Sequence, residues 1–267
     1  MKQQPDYTAK KISGDITIDG NIQKPVWQDA EWSRRFVDMV TGNAAMYNTQ
    51  AAMLWSDTHL YIAFTAEEPF VEAKQTSRDS IIFLENDLEV FIDGEDCYYE
   101  LEINAANTVY EVFFIWKDAY SKGSKFDIPD FDVHHPQTYT FGGDYDRSGA
   151  HFWKGTHPRG IRWAFTNYDM PGLQTAVQVD GTINDNTDID KGWSAEIAIP
   201  WSSLHLLANG RTIPPTNGDV WKFFLGRFQK LMLSGTEVQP HPAWALNSHG
   251  MYDTHQPGKW SQVQFAV

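Results

Sequence analysis

Apolar and polar residues alternate with a period of two along most of the chain, and helical periodicity is scarce. Alternation over short segments bounded by Gly, Asp, Asn and Pro is typical of β-strands. The predicted strands are 15–18, 51–55, 60–66, 88–93, 98–104, 109–116, 161–165, 174–180, 192–200, 220–229 and 261–267. One short helix is predicted in PWSSLHLL, which begins at Pro200. This pattern favours an all-β fold, a two-sheet antiparallel sandwich of the jelly-roll or immunoglobulin-like type.

No internal repeat, low-complexity run or Pro/Gly/Ser-rich linker divides the 267 residues. We therefore predict a single domain over 1–267, which is long enough to bury a sizeable core. The least regular segment, about 117–160, is predicted to be a set of long loops inserted in this domain. Loops of that length without regular structure are uncommon and often functional.

Composition excludes several classes of partner. The net charge of -14 argues against nucleic acid, which needs clustered Lys and Arg, and it also disfavours an anionic membrane surface. No apolar run is long enough to predict membrane insertion. The single cysteine, Cys97, precludes an internal disulfide. The polar start predicts either a cytoplasmic protein or one whose leader has been removed.

The most unusual segment is DLEVFIDGEDCYYELEINAANTVYEVFF, at 87–114, with eight carboxylates and no Lys or Arg. If 94–97 form a four-residue loop, Glu89 lies opposite Glu102 on the neighbouring strand. Side chains alternate along a strand, so several polar residues then share one face. Besides that pair, they are Asp87, Asp93, Glu100 and Asn104.

Carboxylates placed directly opposite each other destabilise a strand pair, so this arrangement needs an explanation. On a solvated face the cost would be only roughly a few tenths of a kcal/mol. Alternatively, Glu89 and Glu102 match the spacing of a retaining glycosidase, about 5 Å. The cluster with Asn104 could also hold Ca²⁺, which prefers oxygen ligands. Finally, carboxylates beside aromatic rings can bind sugar hydroxyls, and spacing alone leaves all four alternatives open.

An ordered series of motifs resembles a known family. The motifs are ITIDGNIQKPVWQDAEW at 16–32, AAMLWSDTHLYIAFTAEEP at 51–69, DLEVFID at 87–93, YELEINAANTVYEVFF at 99–114, VDGTINDNTDIDKGWSAEIAIPWSSL at 179–204 and PGKWSQVQF at 257–265. The series covers nearly the whole chain and is similar to the family 9 carbohydrate-binding modules found in polysaccharide-degrading bacteria. The resemblance implies a DOMON-like β-sandwich that binds oligo- or polysaccharides. Related modules are attached to xylanases, and the family commonly carries structural calcium.

The resemblance also implies site residues. The family's acidic sugar ligand corresponds to Glu89, and a stacking tryptophan is replaced by Phe83. A basic ligand in the next strand corresponds to Glu102, which has the opposite charge, and a polar ligand corresponds to Arg227. We expect Arg227 and Glu102 to have exchanged charges between their strands, so that Arg227 supplies the cation beside Glu89.

Further sugar-binding residues are predicted around this pair. The second stacking tryptophan of the family falls near Thr254, where a neighbouring ring would have to substitute. The candidates for this position are Tyr252, His249 and His255. Asn104 is predicted to bind hydroxyls. Four tryptophans in or beside irregular segments are candidates for an exposed ring, namely Trp116, Trp153, Trp163 and Trp244, and we include Trp116 and Trp244 in the predicted site.

The segment NDNTDIDKG, at 184–192, places Asp185, Asp188 and Asp190 before a glycine. These are predicted calcium ligands, although the spacing matches no EF-hand and a solvated hairpin turn is the alternative. The histidines match no metal motif such as HExxH, and no nucleophile or phosphate-binding motif is present.

The sequence therefore predicts non-catalytic carbohydrate binding in the service of polysaccharide degradation. The alternatives are a glycoside hydrolase that uses Glu89 and Glu102, and a Ca²⁺-dependent structural or interaction module. The family resemblance also leads us to expect an extracytoplasmic location, in the periplasm or at the cell surface.

Overall fold

The computed structural model describes residues 4–142 and 157–267, which are mostly β-strand. In chain order, strands β1 to β16 are Tyr7–Lys11, Val37–Asp38, Thr49–Trp55, His59–Glu67, Asp87–Asp93, Cys97–Ile103, Val109–Trp116, Thr138–Phe141, Arg162–Phe165, Gln174–Asp180, Gly192–Pro200, Val220–Phe228, Met232–Leu233, Thr236–Glu237, Ala243–Ala245 and Ser261–Ala266. The short helices α1 and α2 are Pro25–Gln28 and His205–Ala208.

Most of the strands belong to one hydrogen-bonded sheet in the order β10-β11-β4-β3-β1-β16-β12-β5-β6-β7-β9-β8. Strand β15 pairs with both β12 and β2, and β13 pairs with β14 in a separate small sheet. Neighbouring strands are antiparallel except β1, which runs parallel to β3 and β16. The antiparallel character agrees with the prediction from alternation.

The two halves of the sheet contribute to one hydrophobic core. Ile62 and Phe64 from β4 belong to the same buried cluster as Val90 from β5 and Leu101 from β6. A sheet whose two ends share a core forms two packed layers. The all-β prediction is confirmed, and this arrangement is consistent with a sandwich.

Each layer also carries buried residues on its outer face. The N-terminal segment packs on the outside of β3 and β4, where Trp27 joins Leu54 and Tyr61. The outside of the β5 to β9 layer carries an aromatic cluster that includes Phe91 and Tyr98. Strands β5, β6 and β7 are therefore buried along their full length, which brings their acidic residues into the interior.

Ten of the eleven predicted strands are present to within a few residues. The prediction at 15–18 is wrong, because this segment is held by polar contacts, including hydrogen bonds from Tyr61 and Ser56 to Asp15. The predicted loop insertion contains β8, which extends the sheet through β9. Alternation missed β8 and the other additional strands because most are too short to show a period.

Within the described ranges, the helices are too short and too polar to cross a bilayer.

Candidate functional site

The acidic hairpin formed by β5 and β6 has the register that the sequence predicts. Glu89 lies opposite Glu102, and Phe91 lies opposite Glu100. Alternation places both of these glutamates of β6 on the outer face with Glu89 and Asp87. All four carboxylate residues are at most 4% exposed. The alternative of a solvated acidic face is therefore wrong, because the surrounding aromatic residues and loops bury these side chains.

Three of these carboxylates line a cleft of about 630 Å³, which we call the acidic cleft, and Asp87 lies beside them. Glu89, Glu100 and Glu102 are buried at its floor, whereas Phe83 and Tyr252 are only half-buried and stand nearer its rim. Six aromatic side chains line it, namely Phe83, Tyr110, Phe114, Phe141, Phe228 and Tyr252. The acidic cleft thus combines a floor of carboxyl groups with aromatic rings in its walls.

The carboxylates of the floor converge on one another. Oxygens of Asp87, Glu89 and Glu102 lie within 4.8 Å of one another. One buried oxygen of each, and one of Glu100, has no hydrogen-bond donor among residues 4–142 and 157–267. The other oxygen of Asp87 accepts a hydrogen bond from the Phe228 N–H at 3.1 Å. Unpaired buried acids are costly and uncommon, so the cluster requires a functional explanation.

Burial raises the pKa of Glu89 and Glu102 well above the usual range, and the neighbouring carboxylates raise it further. Burial also raises the pKa of Asp87. The pKa of Glu100 is raised to about 7 by burial, which a hydrogen bond with Glu102 and the positive charge of Arg162 partly oppose. The ligand-free cleft therefore retains protons on its carboxyl groups near neutral pH.

Other buried glutamates are paired with cations. Three of them each contact a basic side chain, and the pairs are Glu68 with Arg227, Glu111 with Arg78, and Glu196 with Lys24. In the described part of the chain, Glu89 and Glu102 have no such ion pair, and burial acts on them without an offsetting positive charge. The lack of an ion pair therefore distinguishes Glu89 and Glu102 from the buried glutamates that have a structural role.

Arg227 does not lie in the acidic cleft. It is opposite Leu88 in the β12–β5 ladder, whereas Glu89 is opposite Gly226, so its side chain is on the core face. There it donates hydrogen bonds to Thr49 at 3.0 Å and Glu68 at 3.2 Å. The expected exchange of charges between Arg227 and Glu102 is therefore wrong, because a one-residue offset along a strand reverses the face.

Asn104 is also placed outside the acidic cleft. It follows β6 and organises the next turn, because its Oδ1 accepts hydrogen bonds from the N–H groups of Ala106 at 3.0 Å and Thr108 at 2.9 Å. Its Nδ2 donates to Glu85 at 3.0 Å. With its amide engaged in this way, Asn104 holds the end of the hairpin and is not a wall of the cleft.

The predicted tryptophan platforms are buried. Trp244 belongs to the hydrophobic core, and the ring of Trp116 is covered by the guanidinium of Arg162 at 4.7 Å. Neither presents an open ring to the acidic cleft, so the expectation of exposed platforms at these positions is wrong. Trp163 is half-buried beneath Lys117, and Trp153 lies outside the described residues.

Phe83, Tyr252 and His255 do line the acidic cleft, as the sequence predicts. Tyr98 Oη lies 3.0 Å from Nδ1 of His255, and burial lowers the pKa of this histidine well below its usual value. His249 is placed behind the wall, where its ring packs against Phe224 at 5.3 Å. Of the three substitutes predicted for the second stacking ring, Tyr252 is thus a half-buried ring at the cleft.

Asp185, Asp188 and Asp190 occupy a turn and form separate hydrogen bonds. Asp190 accepts from the N–H groups of Thr182 at 2.7 Å and Val71 at 2.8 Å. The other two accept hydrogen bonds from nearby threonines. Within the described residues, the acids that converge are those of the cleft rather than these three. They do not fit a shared calcium site as arranged, and calcium stays a prediction without assigned ligands.

Several residues of the acidic cleft were absent from the predicted site. Asp87 and Glu100 are on the face that alternation identified, so the sequence contained their signal. Arg162 is buried on β9, and its Nη1 donates to the His255 carbonyl at 3.3 Å. Tyr110 and Phe141 reach the cleft from β7 and β8. Only the order of strands in the sheet could have placed these last three.

Comparison with known proteins identifies the fold. No family model and no curated protein matches the chain. Among solved structures, the chain is similar to a candidate carbohydrate-binding protein from Bacteroides uniformis, with 13% identity over 97% of both chains and a TM-score of 0.57. This likeness is one of fold, and it agrees with the all-β architecture.

The chain is also similar to a family 9 carbohydrate-binding module from Caldicellulosiruptor kristjanssonii. The complex with cellotriose shows 15% identity over 97% of this chain and 93% of the module, with a TM-score of 0.49. The complex with glucose shows 14% identity over 97% and 95%, with a TM-score of 0.48. The expected likeness to family 9 modules is thus found among solved structures, at low sequence identity.

Proposed function

We propose that the chain binds carbohydrate in the acidic cleft without cleaving it. The observation that carries this proposal is a floor of unpaired carboxylates below half-buried rings of Phe83 and Tyr252. Rings pack on the apolar faces of sugars while carboxylates accept hydrogen bonds from hydroxyls. A volume of about 630 Å³ also falls within the range of small-molecule sites. The fold shared with a candidate carbohydrate-binding protein supports the same function.

The finer parts of the proposal follow from the family resemblance. They are a jelly-roll, DOMON-like arrangement of the strands, a role in polysaccharide degradation that includes xylan, a bacterial source and an extracytoplasmic location. We also retain structural calcium as part of this proposal. Comparing thermal stability with and without a chelator tests the calcium directly, because removal of a structural ion lowers the melting temperature.

Substitution of Phe83 by alanine tests the role of the rim. We expect Phe83→Ala to weaken binding of cello- or xylo-oligosaccharides by about tenfold, since loss of a stacked ring costs on the order of 1–2 kcal/mol. Isothermal titration calorimetry on ligands selected from a glycan array measures this. Phe70→Ala is the matched control, because Phe70 is an exposed phenylalanine outside the cleft. Failure of every glycan to bind would refute the proposal.

One observation favours a second function, that of a glycoside hydrolase. A general acid needs a raised pKa, and burial raises the pKa of both Glu89 and Glu102. Their shared surroundings do not push the two pKa values apart, as distinct acid and nucleophile roles require. Release of reducing ends from oligosaccharides that disappears in Glu89→Gln would support hydrolysis over binding alone.

A further inference from the structure

Among residues 4–142 and 157–267, no positive charge offsets the burial of Glu89 and Glu102 at the floor of the acidic cleft. Arg162 acts on Glu100, and His255 is neutral because burial and Arg162 lower its pKa. Neither forms an ion pair with Glu89 or Glu102 within the described ranges. Glu68, Glu111 and Glu196, by contrast, each have a basic partner. The carboxyl groups of the cleft could therefore bind a cation that the described residues do not supply.

The positions of the oxygens suit a small cation with directed hydrogen bonds. A primary ammonium group has three N–H donors, each of which bonds an oxygen at about 2.8 Å. Tetrahedral geometry places three such oxygens roughly 4.6 Å apart. The oxygens of Asp87, Glu89 and Glu102 lie within 4.8 Å of one another. The upper limit of 4.8 Å includes the separation that one ammonium group requires between three oxygens.

Glu100, which is hydrogen-bonded to Glu102, adds a further unpaired oxygen beside these three acids. Glu100 is 4% exposed, lines the acidic cleft and has a buried oxygen without a donor among the described residues. Its oxygen lies 3.9 Å from Nε2 of His255, beyond hydrogen-bond distance. A fourth acceptor therefore remains for a donor that accompanies the cation, such as a neighbouring hydroxyl.

The walls of the cleft favour an organic cation over a metal ion. Ca²⁺ takes about six to eight oxygen ligands. The cleft lining includes six Phe and Tyr rings besides the polar residues Gln239, Asp253 and Thr254, and the carbonyl groups of β5 and β6 are engaged in the ladder. Aromatic faces attract cations and pack against apolar C–H groups. An ammonium group attached to a sugar ring would use both the carboxyl groups of the floor and these rings.

We propose that the acidic cleft binds a sugar carrying a primary ammonium group, held by Asp87, Glu89 and Glu102, with its ring between Phe83 and Tyr252. This inference rests on the proposed carbohydrate binding and names the class of sugar. Neutral sugars can contact the same walls but bring no positive charge to favour ionisation of the floor carboxyls. An N-acetylated sugar has lost the positive charge and gains no such advantage.

The full chain is titrated calorimetrically at pH 7, in the presence of a chelator, with glucosamine, N-acetylglucosamine and glucose. We expect glucosamine to bind about tenfold or more tightly than either neutral sugar, since its ammonium group forms charge-assisted hydrogen bonds with carboxylates that ionise on binding. Glu89→Gln and Glu102→Gln should each remove this preference, because glutamine keeps the shape and a hydroxyl acceptor but cannot ionise to pair with the ammonium group. Glu95→Gln, in the exposed loop of the same hairpin, should retain it.

The outcomes distinguish this inference from the proposed function. Equal binding of glucosamine and glucose would overturn the ammonium site and leave carbohydrate binding intact. A preference for glucosamine that survives in both glutamine variants would also overturn it. Binding of no sugar would refute the proposed function itself. A titration with Ca²⁺ alone, without chelator, completes the test. Tight binding of one Ca²⁺ ion that prevents glucosamine from binding would overturn the ammonium site in favour of a metal site.

Discussion

Glu68 and Glu89 are both buried glutamates, yet their surroundings give them different roles. Glu68 receives a hydrogen bond from Trp193 Nε1 at 2.7 Å and pairs with Arg227 at 3.2 Å. Burial lowers the pKa of Arg227 to about 10, so this arginine still carries its charge at neutral pH. Glu89 has no comparable partner in the described residues. A satisfied buried acid holds the fold together, whereas an unsatisfied one is available to a ligand.

Removing Arg227 should therefore destabilise the protein rather than act on the cleft. We expect Arg227→Met to lower the free energy of unfolding by about 3–5 kcal/mol, because Glu68 would remain buried without its cation. Urea denaturation measures the loss. The double variant Arg227→Met/Glu68→Gln should recover a substantial part of it. A single variant as stable as the wild type would contradict this description of the pair.

Strand β12 pairs with β5 of the acidic hairpin, and the residue of β12 opposite Glu89 is a glycine. Gly226 lies opposite Glu89, and a Cβ atom there would approach Phe224 Cζ to 2.3 Å. The Phe224 ring is buried against Phe91 and His249, so it has little room to move. The glycine thus allows an aromatic ring to fold back beside the floor of the cleft.

Gly226→Ala should disturb this part of β12. We expect a loss of about 1–3 kcal/mol in stability, since an added methyl group overpacks a filled site. Gly258→Ala is a suitable control because no atom lies within 4 Å of its added Cβ position. Thermal or urea unfolding measures the stability of both variants. Equal stability would show that the Phe224 ring can move to accommodate the added methyl group.

The concentration of acids in the interior ties the stability of the whole molecule to pH. The pKa values of Asp87, Glu89, Glu100 and Glu102 are higher in the folded chain than usual, so these groups bind more protons in the folded state than in the unfolded state. That stabilisation is complete at low pH and is lost as the pH rises through the folded pKa, about 7 for Glu100. The ionisable groups in or beside the cleft include Asp87, Glu89, Tyr98, Glu100, Glu102, Tyr110, Arg162, His241, Tyr252, Asp253 and His255.

We accordingly expect the ligand-free protein to melt at a lower temperature at pH 8 than at pH 6.5. The variant Glu100→Gln/Glu102→Gln should show a smaller decrease, because the titrating groups are gone while their shapes remain. Scanning calorimetry across this interval compares the two proteins. A wild-type melting temperature that is constant or rises with pH would contradict the burial of protonated carboxyls.

The sequence by itself determined the strands, the register of the β5–β6 hairpin and the shared face of Glu89 and Glu102. These follow from alternation and turn residues, which act over a few neighbouring positions. The same local rule identified Asp87 and Glu100 as neighbours of the pair. Most strand boundaries could be predicted for this reason, and the long β5, β6 and β7 were the most regular.

Only the tertiary structure decided what covers that face and which cations reach it. Arg227 was assigned to the cleft from a loose correspondence of motifs, and pairing with β5 turns it to the core. Arg162 and Phe141 arrive from β9 and β8, which are distant in sequence. The burial of Glu102 depends on these non-local contacts, and burial is the main cause of its raised pKa. Desolvation of a carboxyl group is set by all the residues packed around it, including those distant in sequence.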